Sequence, residues 1–165
     1  MKERFRWLAA AIAAHPERKV VGRTRLQKEI KLLQRLNFPT EYSYTLHFYG
    51  PYSESLHAEI SLLESLGLIE EEHQQNQDGV SYYILRAKPE AEMSEIATFK
   101  NYIDIMNEAE SVVLELAATY DMFRSMGSEH REAMTRLRRK KGSKCDNGNE
   151  EQALALLESL GLESN

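Results

Sequence analysis

A mainly α fold of the α+β class is predicted for this chain: a winged-helix-like N-terminal module with a two-stranded wing, followed by an all-α C-terminal half. Three observations predict it. Residues 22–86 run in the order basic amphipathic helix, aromatic turn (HFYGPYS), short helix, two strand-like runs. Those two runs flank QNQDG, a cluster of residues that favour tight turns. Beyond Lys88-Pro89 the apolar residues recur at helical spacing.

Each element has its own warrant. Phe5, Leu8 and Ile12 recur with neighbouring alanines every third or fourth position, so residues 2–14 read as a helix that His15-Pro16 ends. The same start has basic residues before an apolar stretch, but that stretch is short, rich in alanine and abutted by Arg6, so a helix is expected rather than a signal peptide. Val20-Val21 reads as a short first strand. Leu26, Ile30, Leu33 and Leu36 form one stripe of a helix over residues 24–36, with Lys28, Lys31 and Arg35 on another face, joined by Arg25. Tyr42, Tyr44, Leu46 and Phe48 alternate, which predicts an extended approach to Gly50-Pro51. Ser53 is placed to cap a helix striped by Leu56, Ile60, Leu63 and Leu66 and stopped at Gly67. Residues 68–72 and 80–85 are the expected wing.

After the module, Ser94 is expected to cap a long helix carrying Ile96, Phe99, Ile103 and Met106. A second apolar face follows at Val113, Leu116, Ala117, Tyr120 and Phe123, then a basic helix over 128–141, a GSKCDNGN loop and a last helix over 150–160. The strings LLESLGLIE and LLESLGLES (62–70 and 156–164) read as two helix endings with a glycine cap and a leucine folding back.

Composition bounds the rest. With 165 residues, 42% apolar and 28% charged, the chain suits one domain with an extension, divided here into a winged-helix-like module (1–88) and a helical extension packing on it (89–165). No apolar run is long enough for a membrane span. The single cysteine, Cys145, excludes an intrachain disulfide and a cysteine-based zinc site, which fits a cytoplasmic protein. The net charge of −5 hides strong segregation. Residues 1–35 carry ten Lys/Arg against three acids, 36–123 three against sixteen, 124–144 eight against two, and 145–165 none against five. Two basic blocks on an acidic body either make a localised positive field or pair with the acidic middle on folding.

The segment LQKEIKLLQRLN…YSYTLHFYGPYSESLHAEISLLESLGLI resembles the prokaryotic YwgA-like family, with its LQK-plus-apolar helix, YGPYS turn and helix ending in GLI. It is more distantly similar to the Panacea antitoxin domain. ELAATYDMF, RLRRKKG and EEQALALLESLG look like the helical C-terminal half of the same family, so the resemblance covers about residues 22–162. It implies a winged-helix-like fold without catalysis.

The turn itself has a structural reading. Gly50 permits a positive φ or a close approach, Pro51 presets the helix entry, Ser53 caps, and Tyr49 and Tyr52 lay rings on the core or offer them to a partner. A DNA-reading winged helix lays its second motif helix in the major groove. Here that helix carries Glu54, Glu59 and Glu64, and residues 36–85 contain no Lys or Arg. Nucleic acid is therefore expected, if at all, on two basic surfaces. One is Arg23, Arg25, Lys28, Lys31 and Arg35, flanked by Arg18 and Lys19; the other is Arg136, Arg138, Arg139, Lys140 and Lys141, with Lys144 beyond. No phosphate loop, zinc-protease or hydrolase motif appears, and His47, His57 and Glu54 around the turn are not expected to bind metal. The expectation is a non-catalytic winged-helix-type regulator without cofactor that touches nucleic acid through its basic surfaces. The alternative is a protein-interaction module of antitoxin or adaptor type without DNA binding. A homodimer through Leu114, Leu116, Leu154, Leu157 and Leu160, flanked by Met126 and Met134, is expected in either case.

Overall fold

The computed structural model describes residues 3–162. Along the chain come α1 (Arg4–Ala13), β1 (Lys19–Val21), α2 (Arg23–Arg35), β2 (Thr45–His47), β3 (Gly50–Tyr52) and α3 (Glu54–Ser65). They are followed by β4 (Ile69–Gln75), β5 (Ser81–Ala87), α4 (Lys100–Asn107), α5 (Ser111–Ser125), α6 (His130–Lys141) and α7 (Asn149–Ser159). Among the described residues the fold is mainly α, with one three-stranded and one two-stranded sheet.

The expected wing is the antiparallel pair β4–β5, with Glu72 opposite Ile84. Its turn is set by Asn76, whose side-chain oxygen accepts from the backbone N–H groups of Asp78 (2.9 Å) and Val80 (3.0 Å). β1 adds to the free edge of β5, giving the order β1-β5-β4. β2 and β3 form the separate hairpin that carries the aromatic turn.

Ser53 Oγ accepts from Leu56 N (3.2 Å), and α3 then buries Leu56, Ile60 and Leu63. α3 and α7 close in the same way, which accounts for the repeated LLESLGL string. Leu68 N donates to Leu63 O (2.9 Å) and Gly67 N to Glu64 O (3.0 Å); Leu162 N donates to Leu157 O (2.8 Å) and Gly161 N to Glu158 O (2.9 Å). Both are Schellman endings with a left-handed glycine.

One apolar core spans both halves of the chain. Trp7, Phe38 and Phe99 meet edge-on, with centroids 4.9 to 5.9 Å apart, tying α1 and the loop after α2 to the segment before α4. That segment departs from expectation: Ser94–Phe99 is 3-10, and regular helix starts only at Lys100. The homodimer surface also needs correction. Leu114, Leu116, Met134, Leu157 and Leu160 are buried within the chain, Leu154 packs against the core, and of the named set only Met126 is exposed. α5 absorbs them because it is enclosed by α2, α6, α7 and β3.

A buried polar network joins α1 to α2. His15 Nδ1 lies 2.6 Å from Ala11 O and Nε2 lies 2.6 Å from Glu29 Oε1. A ring facing two acceptors carries both protons. Burial opposes that charge, but Glu29 and the Ala11 carbonyl outweigh it and raise the imidazole pKa above its usual 6.5. The unfolded value is the lower one, so the stability this group contributes is complete below about pH 6.5 and is lost as pH rises through the folded value. The stability gap between wild type and His15→Gln is therefore expected to narrow from pH 6 upward in urea titrations. A gap that is constant or grows with pH would show the ring to be neutral.

Candidate functional site

Motifs far apart in the chain assemble the aromatic turn. Gln27 on α2 grips Ser53 twice: its Nε2 donates to Ser53 O (2.9 Å) and its Oε1 accepts from Ser53 N (2.9 Å). Lys28 Nζ donates to Pro51 O (3.0 Å), and Lys141 Nζ, from the end of α6, donates to Phe48 O (3.0 Å). The LQK and YGPYS motifs are thus two halves of one joint. Gly50, at φ +98°, lies against α5 so closely that a Cβ would stand 2.8 Å from Thr119 Oγ1.

Below the turn lies a cluster with more positive than negative charge. Glu115 Oε2 accepts from Lys141 (2.7 Å) and Lys144 (3.0 Å), and Lys28, only 2% exposed, faces the same group. Burial pushes the Glu115 carboxyl up, but the two ammonium groups outweigh it and hold it below the ordinary carboxylate range. Burial brings Lys28 down to about 8; Glu115 opposes this, and Lys141 and Lys144 add to it.

The candidate nucleic-acid residues have other uses. Of the two courses open to the basic face of α2, it takes pairing with the acidic middle of the chain, because α5 carries the matching acids, while Arg35 stays exposed. Lys31 Nζ reaches Asp121 Oδ2 (3.4 Å), and Arg35 Nε reaches both Asp121 oxygens (3.1 and 3.2 Å). Arg25 closes the end of α4, donating to Met106 O (2.7 Å) and Ala109 O (2.8 Å), and also holds Glu29. Arg23 makes a two-pronged pair with Glu71 over the Tyr83 ring. In the second block Arg138 forks onto Glu150 (2.6 and 2.9 Å), while Arg136 lies over Phe123 and donates to Ser128 Oγ (2.9 Å). Arg139 and Lys140 are exposed and pair with no carboxylate among the described residues.

The turn's side chains divide by position. Tyr52 stacks on His47 (4.6 Å) and lies tilted against His57 (6.0 Å), whereas Phe48 and Tyr49 project from the tip. Among the described residues no group of three His, Cys, Asp or Glu side chains is arranged to hold a metal, and no helix is long and apolar enough to cross a membrane. Sequence reasoning passed over Gln27, Glu115, Thr119 and Asp121. Their signal was present: polar side chains inside apolar helical runs need buried partners.

Fold and site together define a mainly helical protein whose dispersed motifs converge on one anchored aromatic turn. The chain is 32% identical over 146 residues to the uncharacterised protein YwgA of Bacillus subtilis (strain 168), covering 86% of this chain and 87% of that one. It belongs to the YwgA family. No protein-family model matches the chain, and no solved structure matches it significantly.

Proposed function

We propose that this chain is a non-catalytic protein-interaction module of antitoxin or adaptor type on a winged-helix-like scaffold. The order α1-β1-α2-α3-β4-β5, with β1 completing the hairpin sheet, supports the scaffold. One observation carries the choice over a nucleic-acid regulator: eight of the ten candidate cations, all but Arg139 and Lys140, are engaged within the fold, chiefly by Glu71, Asp121, Glu115, Glu150 and the end of α4. A cation already paired releases few counterions from a phosphate backbone, so the electrostatic drive for binding is small. α3, in the position of a recognition helix, offers carboxylates and no Lys or Arg.

Of the ten candidate cations, Arg139 and Lys140 are the two left unpaired among the described residues, and they are the foothold that set leaves for nucleic acid. Fluorescence anisotropy with labelled duplex and single-stranded oligonucleotides across a salt series tests the reading. Contact through these two cations predicts a log–log salt slope of only about −2, flattened by Arg139→Ala with Lys140→Ala. A slope steeper than about −5 with submicromolar affinity would return the protein to the regulator class.

A further inference from the structure

The most exposed aromatic side chains among the described residues sit on a turn held by three side chains from α2 and α6. Phe48 is 90% exposed and Tyr49 61%, while Lys141, Lys28 and Gln27 hold the backbone at Phe48, Pro51 and Ser53. A backbone fixed beforehand loses little entropy on docking, the condition for an aromatic hot spot. The surroundings are cationic: Lys144 Nζ lies 5.4 Å from the Tyr49 ring centroid, Lys141 Nζ donates to Phe48 O (3.0 Å), and with Lys28 these lysines face a single carboxylate, Glu115.

The opposite chemistry begins directly after the turn. α3 buries Leu56, Ile60 and Leu63 and leaves Ala58, Leu62 and Leu66 outward at four-residue spacing, with Leu62 40% and Leu66 50% exposed. Glu54 and Glu64 stand exposed on the same helix, and no Lys or Arg lies anywhere in residues 36–85. One surface is therefore aromatic and basic, the other aliphatic and acidic.

We propose that two copies of this chain associate by docking the Phe48–Tyr49 knob of each on the Ala58–Leu62–Leu66 stripe of the other. Charge selects this occupant. Stripe on stripe sets Glu54 and Glu64 against themselves, knob on knob sets lysine against lysine, and only knob on stripe joins opposite signs. A two-fold axis makes the contact twice and closes the assembly. The C-terminal leucines, buried in the chain's own core, take no part. The association is independent of the interaction-module reading and stands whether the target is protein or nucleic acid.

Sedimentation velocity on the full chain, Phe48→Ala and Leu62→Glu tests it, with circular dichroism confirming that these surface variants fold. Wild type is expected at twice the 19.0 kDa chain mass at micromolar concentration. Each substitution should raise the dissociation constant about 30-fold or more. An equimolar mixture of the two variants retains one intact knob-on-stripe contact, so it should associate where neither variant does alone. A monomeric wild type, a dimer indifferent to both substitutions, or a mixture no more associated than its components overturns the proposal.

Discussion

Gly50→Ala is expected to cost about 3 kcal/mol of stability, from backbone strain and crowding together. The residue sits at φ +98°, outside the range an L side chain readily adopts. Its new methyl would meet Thr119 Oγ1 at 2.8 Å and Lys28 Cε at 3.2 Å. Thr119 cannot easily turn aside, because its hydroxyl donates to Glu115 O (2.7 Å). Gly67→Ala is the control: φ is +73° and nothing lies within 4 Å, so only the left-handed backbone term of about 1 kcal/mol applies. Thr119→Ala combined with Gly50→Ala should recover the crowding part and leave the strain. Urea midpoints decide this; equal losses at Gly50 and Gly67 would mean that the turn is not seated on α5.

Glu115→Ala is expected to cost about 3–5 kcal/mol at neutral pH, because it strips the counter-charge from buried Lys141 and from Lys28. The pH dependence gives the sharper test. In the wild type Lys28 has a folded pKa of about 8 against an ordinary 10.5, so between those values the unfolded chain binds more protons and stability from this group rises with pH. Without Glu115 the lysine values fall further. The penalty is then largest near neutrality and shrinks toward pH 10, where Lys28 has lost its charge in the folded state with or without Glu115. Glu115→Gln, which keeps the shape and loses the charge, should follow the same trend with a smaller loss. Denaturation series from pH 7 to 10 measure it; a penalty that does not change with pH would mean that the cluster acts through packing alone.

Both predictions depend on residues whose types were visible but whose partners were not. The helices α1, α2, α3 and α7 and the hairpin β4–β5 lie close to where periodicity puts them, since each buries a stripe along its own length. The Ser53 cap and the Gly67 and Gly161 endings were legible for a related reason: every hydrogen bond in them joins residues no more than five apart. Ser94–Phe99 was misjudged as regular helix, and there Phe99 is fitted between Trp7 and Phe38 from distant parts of the chain.

The basic face of α2 shows most clearly where reading along the chain stops. Its amphipathic pattern says that one side is charged, and for an isolated helix that side faces water. Lys31 instead reaches Asp121 at a separation of 90 residues, and Lys141 reaches Phe48 at 93. Local capping and burial are settled within a turn or two of helix, so they can be read from neighbouring residues. Whether a cation ends in solvent or against a carboxylate depends on which helix faces are brought together, and only the packing of α2 on α5 and of α6 under the aromatic turn settles that.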